Sequence, residues 1–338
     1  MALQNIFGLG TGQLPSQAGG SIEVTADADP PSGWALRATN ATTFAQLTPI
    51  ATLASSTAAV IVGGWFYIPT GVSVESCISV DTGSDKLRLD TNTAGVFSFR
   101  SVSNDAGTFL ALNYGTIPEI RDEWFHLAYH YSLSDTTGVA KIYVNGNDTG
   151  FSVLSGDTLS SGAGGVTRSL KMRGVGVLAH SIYAGDDTGA APYNDILAGT
   201  PRVDAQTVDG SGTSDWVGSD ADSTDNHLLV DEAPAAAADT TDYIESSTST
   251  DRQIFDAAAS GITGDVHAVK VTAWGRDTDA GGQQVDLGII SNATESTTPS
   301  SLAASDGEIS TFFAQDPDGP AAWDQAARDA IDVVLEVV

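Results

Sequence analysis

The densest cluster of carboxylates in the second half of this sequence lies in one short segment. Asp220, Asp222 and Asp225 fall close together and are followed directly by Asn226. Calcium takes about six to eight oxygen ligands, from carboxylates, amide oxygens and main-chain carbonyls. The spacing has two interpretations: a calcium-binding loop with these three aspartates as ligands, or an acidic loop that is simply solvated.

Two histidines, His126 and His130, lie four residues apart in a run of apolar and aromatic residues. On a helix this spacing would suit two ligands of one metal ion. The segment favours a strand, in which residues four apart are separated by about 13 Å, too far to share one zinc ion. We therefore expect ordinary strand histidines.

Carboxylate pairs of the glycosidase type are missing from the sequence. Glycosidases need two carboxylates a few ångströms apart, and the pattern Glu-x-Asp-x-x-Glu is absent. Glu123 has no acidic residue two or four positions further on. No Cys or Ser is placed to act with a histidine as a nucleophile. The sequence therefore predicts no catalytic residue, and we expect a protein that is not an enzyme and has no cofactor apart from the candidate calcium.

The tryptophans divide into two groups. Trp65, Trp124 and Trp274 lie in apolar runs, which predicts core positions, whereas Trp216 lies among Gly, Ser and Asp. An apolar ring in a polar loop needs something to cover it. Trp216 either anchors its loop to its own domain or contacts a neighbouring subunit or glycan.

The charge of the chain excludes several partners. Its 338 residues include 43 acidic and 14 basic ones, which gives a net charge of −29. Such a field repels phosphate groups, so we expect neither nucleic-acid nor membrane binding. The first residues lack a basic segment followed by an apolar one, so we expect synthesis in the cytoplasm without a signal peptide.

Short strands must position all these residues. The run at 59–69 is apolar and β-branched, residues 86–90 alternate, and Asn145-Gly146 predicts a tight hairpin turn. We predict an all-β protein with two β-sandwich domains of jelly-roll type, at 21–193 and 194–338, and one short C-terminal helix at 320–330. Residues 1–20 are predicted to be an N-terminal arm, in which Ile6, Phe7 and Leu9 order on contact with a partner.

Three segments carry a resemblance to a known superfamily. They are Gly-Trp-Phe-Tyr-Ile at 64–68, Glu-Trp-Phe-His-Leu-Ala at 123–128 and Lys-Ile-Tyr-Val-Asn-Gly at 141–146. Their order resembles the laminin-G/concanavalin-like superfamily over residues 22–185. The resemblance implies a jelly-roll sandwich, in which a rim of loops often binds calcium.

The second half resembles the C-terminal half of virion proteins of tailed bacteriophages. The similar pieces are 210–216, 229–232, 241–244, 268–276 and 316–323, although Asp324 replaces the usual threonine. The resemblance implies a structural role on the virion surface.

Together these features predict a head decoration protein that stabilises the capsid. Its partners would be the major capsid protein or other virion proteins, and it would be a homo-oligomer, for example a trimer. The alternatives are a tail-associated adhesin that binds host surface glycans and, third, a polysaccharide-degrading enzyme.

Overall fold

The chain forms two compact units in a computed structural model, the first ending at Val203 and the second beginning at Asp204. The boundary lies somewhat later than the predicted 193/194. The structure describes residues 3–7, 16–17, 22–25, 35–39, 45–52, 60–73, 78–82, 85–90, 97–103, 108–112, 118–131, 138–156, 167–186, 199–231, 241–259, 264–279, 282–319 and 322–338.

The first unit consists of strands that pair into two antiparallel sheets. The strands are β1 Leu3–Phe7, β2 Ser16–Gln17, β3 Ile22–Thr25, β4 Ala35–Ala38, β5 Ala45–Thr52, β6 Val60–Tyr67, β7 Ile78–Thr82, β8 Asp85–Asp90, β9 Ser98–Ser103, β10 Thr108–Leu112, β11 Trp124–Tyr131, β12 Gly138–Val144, β13 Asn147–Gly156, β14 Thr167–Met172 and β15 Leu178–Asp186.

The larger sheet of the first unit has the order β13-β12-β11-β6-β15-β4-β3, and β1 also pairs with β15. The second sheet has the order β10-β9-β8-β7-β14-β5-β2. Phe66, Phe97 and Phe125 are buried, and the rings of Phe97 and Phe125 are 5.4 Å apart. The predicted turn joins β12 to β13, with Asn145 and Gly146 at φ 51° and 74°. The predicted all-β fold is confirmed.

The segment predicted as an N-terminal arm contributes strands to this unit instead. In β1, the backbone of Ile6 pairs with Tyr183 and that of Phe7 with Ile182. Strand β2 pairs with β5. Main-chain hydrogen bonds to a neighbouring strand satisfy this segment within its own chain, so the expectation of an arm held by a partner is corrected for residues 3–7 and 16–17. Leu9 lies outside the described residues.

In its described residues the second unit consists of strands, one 3₁₀ helix and one short α-helix. These are β16 Val208–Ser214, β17 Val217–Gly218, a 3₁₀ helix at Asn226–Leu229, β18 Ile244–Glu245, β19 Arg252–Ala257, β20 Val269–Gly275, β21 Gln284–Ser291, β22 Thr294–Ser301, β23 Gly307–Phe313, α1 Gln325–Arg328 and β24 Ile331–Val337. The five-stranded sheet has the order β16-β19-β24-β21-β22, and β17-β18 and β20-β23 form separate pairs.

The C-terminal helix is shorter than predicted. It begins at Gln325 because the Asp324 side chain accepts a hydrogen bond from the main-chain N–H of Ala327 at 2.7 Å and caps the helix there. None of the helices in the described ranges is both long and apolar enough to cross a membrane.

Candidate functional site

The larger sheet of the first unit has two faces with different side chains. The inner face carries Phe66, Phe125 and Tyr129, and the Tyr129 hydroxyl donates to the carbonyl of Ile78 in the second sheet at 3.3 Å. Because side chains alternate along a strand, Trp65 of β6 and Trp124 of β11 lie on the opposite, outer face. The outer face is therefore aromatic as well.

Six rings on this outer face follow one another in a chain of ring contacts. Ring centroids are 5.7 Å apart for Tyr67 and Trp124, and 4.7 Å for Trp124 and His180. His180 stacks on Trp65 at 6.0 Å, and Trp65 meets the edge of His126 at 5.8 Å. We call this set the aromatic row: Tyr67, Trp124, His180, Trp65, His126 and Tyr183.

A break in the strand register brings both β15 residues to the same face. His180 pairs with Trp65 and Tyr183 pairs with Gly63, with a register shift between them. Residues three apart on a regular strand point to opposite faces, and a bulge with Ser181 at φ 50° restores the common face. Gly63 is required because any Cβ at this position would overlap the Tyr183 hydroxyl.

The two histidines of the row are buried and neutral at physiological pH. Burial lowers the pKa of His126 to about 4, and burial lowers that of His180 to about 4 as well. His126 Nε2 lies 3.0 Å from the Tyr183 hydroxyl, and His180 Nδ1 lies 2.8 Å from Ser181 Oγ. Burial also raises the pKa of Tyr183. This part of the row therefore carries no charge.

Residues 199–203 cover the buried part of the row. The Trp65 indole N–H donates to the carbonyl of Pro201 at 3.0 Å. The main-chain N–H of Val203 donates to Ser181 Oγ at 2.9 Å. The hydrogen bonds hold the segment against the sheet, so His126, His180 and Tyr183 have a structural role.

The row is open at its other end, where Tyr67 and Trp124 are only half-buried. The exposed Asp122 carboxylate next to them accepts hydrogen bonds from the Thr70 N–H at 2.9 Å and the Thr70 hydroxyl at 2.5 Å. These bonds lower the pKa of Asp122. Asp122 has φ 57°, an uncommon backbone conformation for a residue other than glycine. This end offers two ring surfaces and a fixed carboxylate, a combination that can stack on a sugar ring and accept its hydroxyl hydrogens.

Two of the three aspartates predicted to bind calcium accept hydrogen bonds from main-chain N–H groups of their own loop. Asp222 Oδ1 accepts from the Thr224 N–H, and Asp220 Oδ1 accepts from the Asp222 N–H at 3.0 Å. Across the described ranges, no three His, Cys, Asp or Glu side chains form a group that could hold a metal ion. Asp225 adopts a left-handed conformation before the 3₁₀ helix.

The other singled-out residues have clear positions. Trp216 is 9% exposed, packs with Val285 and Val337, and donates from its indole to the Asp251 carbonyl at 3.2 Å. It therefore anchors its own unit and is not available to a partner. Trp274 is 44% exposed, so its predicted core position is wrong. His126 and His130 both lie on β11, as strand histidines.

Sequence reasoning missed His180 and Tyr183, and it placed Trp65 and Trp124 in the core. A signal was present in the runs Trp-Phe-Tyr at 65–67 and Trp-Phe-His at 124–126. Both alternating positions of these strands are aromatic, which indicates two covered faces rather than one.

No protein-family model matches the sequence, and no curated protein matches it. Among solved structures, galectin LEC-6 of Caenorhabditis elegans is 16% identical with a TM-score of 0.30, over 44% of this chain and 94% of the galectin. The catalytic domain of a glycoside hydrolase family 131 protein from Coprinopsis cinerea is 13% identical with a TM-score of 0.35, over 57% and 88%. A mutant alginate lyase in complex with alginate trisaccharide is 11% identical with a TM-score of 0.33, over 55% and 97%.

These neighbours are jelly-roll sandwiches of the concanavalin-like, lectin type. At these identities and TM-scores the likeness bears on the fold alone. The expectation that the chain is not an enzyme is nevertheless wrong as stated, because chains with a similar fold include a glycoside hydrolase and a lyase. None of the neighbours assigns a reaction to this chain.

Proposed function

We propose that the protein binds carbohydrate at the open end of the aromatic row. The observation that carries the proposal is the pair of half-buried rings, Tyr67 and Trp124, beside the fixed carboxylate of Asp122. Apolar ring faces cover the C–H face of a sugar, while a carboxylate accepts hydrogen bonds from its hydroxyls. The buried remainder of the row holds the two strands in register behind this surface.

The charge of the protein narrows the class of glycan. Residues 1–203, whose unit carries the two rings, contain 17 acidic against 10 basic residues, and the Asp122 carboxylate is ionised at physiological pH because its pKa is lowered. An acidic glycan would be repelled at this surface. The ligand is therefore a neutral oligosaccharide, recognised through stacking and hydroxyl groups.

The test is the affinity of the purified full chain for a panel of neutral and acidic oligosaccharides. Trp124→Ala removes one stacking surface, and we expect it to weaken binding about tenfold, which corresponds to about 1.4 kcal/mol. Trp274→Ala is the matched control, because Trp274 is an exposed tryptophan of the second unit, and it should leave the affinity unchanged.

Two outcomes would count against this proposal. Equal losses in both variants would place binding elsewhere, and preference for acidic sugars would contradict the charge argument. If the chain cleaves a bound glycan, and an Asp122→Asn variant does not, the site is an enzyme active site rather than a simple binding surface.

The location of the protein is a separate proposal. We propose that it lies on the outside of a tailed bacteriophage particle, as a head decoration protein or, alternatively, a tail adhesin. The resemblance of the second half of the chain to virion proteins and the net charge of −29, which suits an outward surface, support this. A copy number close to that of the major capsid protein would favour the head, and a low copy number would favour the tail. Absence from purified particles would refute both.

A further inference from the structure

The amide of Asn226 is the most enclosed polar group of the second unit's acidic loop. Asn226 is 0% exposed and begins the 3₁₀ helix that follows Asp225. Its Nδ2 donates to Ser214 Oγ at 2.9 Å, to the Trp216 carbonyl at 3.0 Å and to Gln253 Oε1 at 2.8 Å. Three acceptors around the nitrogen fix which end of the amide is which.

The other end of this amide is left without a partner. Among the described residues, no donor reaches Asn226 Oδ1, although the atom is buried. Leaving a buried carbonyl oxygen without a hydrogen bond costs about 1–3 kcal/mol. A bound ion or a water molecule usually accounts for a buried oxygen that has no hydrogen-bond partner in the protein.

The carboxylate of Asp220 approaches the same place. A Cβ built on Gly218 would lie 2.7 Å from Asp220 Oδ1 and 3.2 Å from Asn226 Oδ1, and would overlap the Cδ1 methyl of Leu229. Both oxygens therefore border the same side of Gly218, next to the Leu229 methyl group, and only glycine leaves room there. Two acceptor oxygens that border one place repel unless a cation or a hydrogen donor is shared between them.

The surrounding charge favours a cation over a water molecule. Asp222 and Asp225 lie in the same loop, and residues 204–338 contain 26 acidic residues against the four basic residues Arg252, Lys270, Arg276 and Arg328. Oxygen ligands from a carboxylate and an amide are those that calcium prefers.

We propose that the loop 218–226 binds one calcium ion through Asn226 Oδ1 and the Asp220 carboxylate. Asp222 and Asp225 contribute charge, and Asp222 Oδ1 is already engaged by Thr224. Because Asp220 is exposed, water completes the coordination shell. A site with few protein ligands is weak, with a dissociation constant on the order of 10⁻⁴–10⁻³ M.

The site is connected to the interior of the second unit. Asn226 bonds to Gln253 of β19, to Ser214 of β16 and to the carbonyl of buried Trp216. An ion held by Asn226 therefore stabilises the folded state by mass action. Terbium, which replaces calcium at oxygen sites, would lie close to Trp216 and emit light sensitised by its indole.

The experiment uses the full chain, freed of metal with a chelator and titrated with calcium chloride by calorimetry. We expect one calcium site, a higher melting temperature with millimolar calcium, and sensitised terbium emission that calcium competes away. Asp220→Asn should raise the dissociation constant at least tenfold. Asp265→Asn removes the same charge from an exposed position outside the loop and should leave the constant unchanged.

Three results would overturn the proposal. No heat and no shift in melting temperature would mean that Asn226 Oδ1 is satisfied by water alone. Equal weakening by Asp220→Asn and Asp265→Asn would mean general screening of the acidic surface. If sodium chloride at equal ionic strength stabilises the protein as much as calcium does, the effect of calcium is also general screening of the acidic surface. If Asp220→Asn folds poorly, sensitised terbium emission from the wild-type chain, and its loss when calcium competes, still tests the proposed site.

Discussion

Acidification is expected to destabilise the first unit through the two histidines of the aromatic row. Both have a pKa near 4 in the folded protein, against about 6.5 in an unfolded chain. Between about pH 4 and pH 6.5, these two histidines bind more protons in the unfolded chain than in the folded one. Stability is therefore fully retained above about pH 6.5 and falls as the pH drops towards 4.

The size of the effect follows from the two pKa values. For a histidine shifted from 6.5 to about 4, lowering the pH from 7 to 5 costs about 2 kcal/mol of unfolding free energy. His126 and His180 together should lose about 4 kcal/mol over this interval. Ordinary carboxylates remain largely ionised above pH 5, so they contribute little to the change.

Urea unfolding at pH 7 and pH 5 measures this loss directly. The double variant His126→Gln/His180→Gln cannot titrate in this range, so its loss should be smaller than that of the wild type by about 4 kcal/mol. His227→Gln, a variant of a histidine in the second unit, is the matched control and should behave as the wild type.

Two results would contradict this expected loss of stability. Equal pH dependence in the wild type and the double variant would mean that the row histidines do not titrate as buried neutral groups. An increase in wild-type stability at pH 5 would mean that relief of the −29 charge outweighs their protonation.

Further predictions concern packing, capping and the anchor of the second unit. Gly63→Ala places a methyl group on the Tyr183 hydroxyl and should lower the unfolding free energy by about 1–3 kcal/mol, measured by urea unfolding. Gly275→Ala, at a strand position where the added Cβ makes only an ordinary contact with Leu302 at 3.9 Å, separates the clash from the loss of glycine itself. Asp324→Ala removes the helix cap and should cost about 1 kcal/mol in the same assay. Trp216→Ala opens a cavity beside Val285 and should cost about 3–5 kcal/mol; a loss below 1 kcal/mol, by the same scale, would show that Trp216 does not anchor its unit.

Strands with strong local patterns were predictable from the sequence. The apolar run that forms β6, the aromatic run that forms β11 and the Asn145-Gly146 turn all carry their signal within a few residues. Period-two alternation and turn chemistry act locally, so a short stretch is enough to recognise them.

Strand pairing was harder to predict because it depends on distant residues. Strand β21 follows β20 in the chain, yet it pairs with β22 and β24. Asn292 and Ala293 make the tight turn at φ 44° and 70°, without the glycine that usually marks one. The partner of β20 is β23.

The candidate sites needed the three-dimensional structure. The aromatic row combines β6, β11 and β15, and a bulge at Ser181 turns Tyr183 to the same face as His180. Nothing in the local sequence predicts a bulge at a serine. The acidic loop was visible in the sequence, whereas the buried, unpartnered oxygen of Asn226 was not.

Tyr67 and Trp124 are proposed to form a carbohydrate-binding surface. The most direct measurement is a nuclear magnetic resonance titration of the six tryptophan indole N–H signals with a neutral oligosaccharide. The signal of Trp124 should shift saturably while those of Trp216 and Trp274 stay in place. A saturable shift confined to Trp274, or no shift at any indole, would mean that Tyr67 and Trp124 do not bind the sugar.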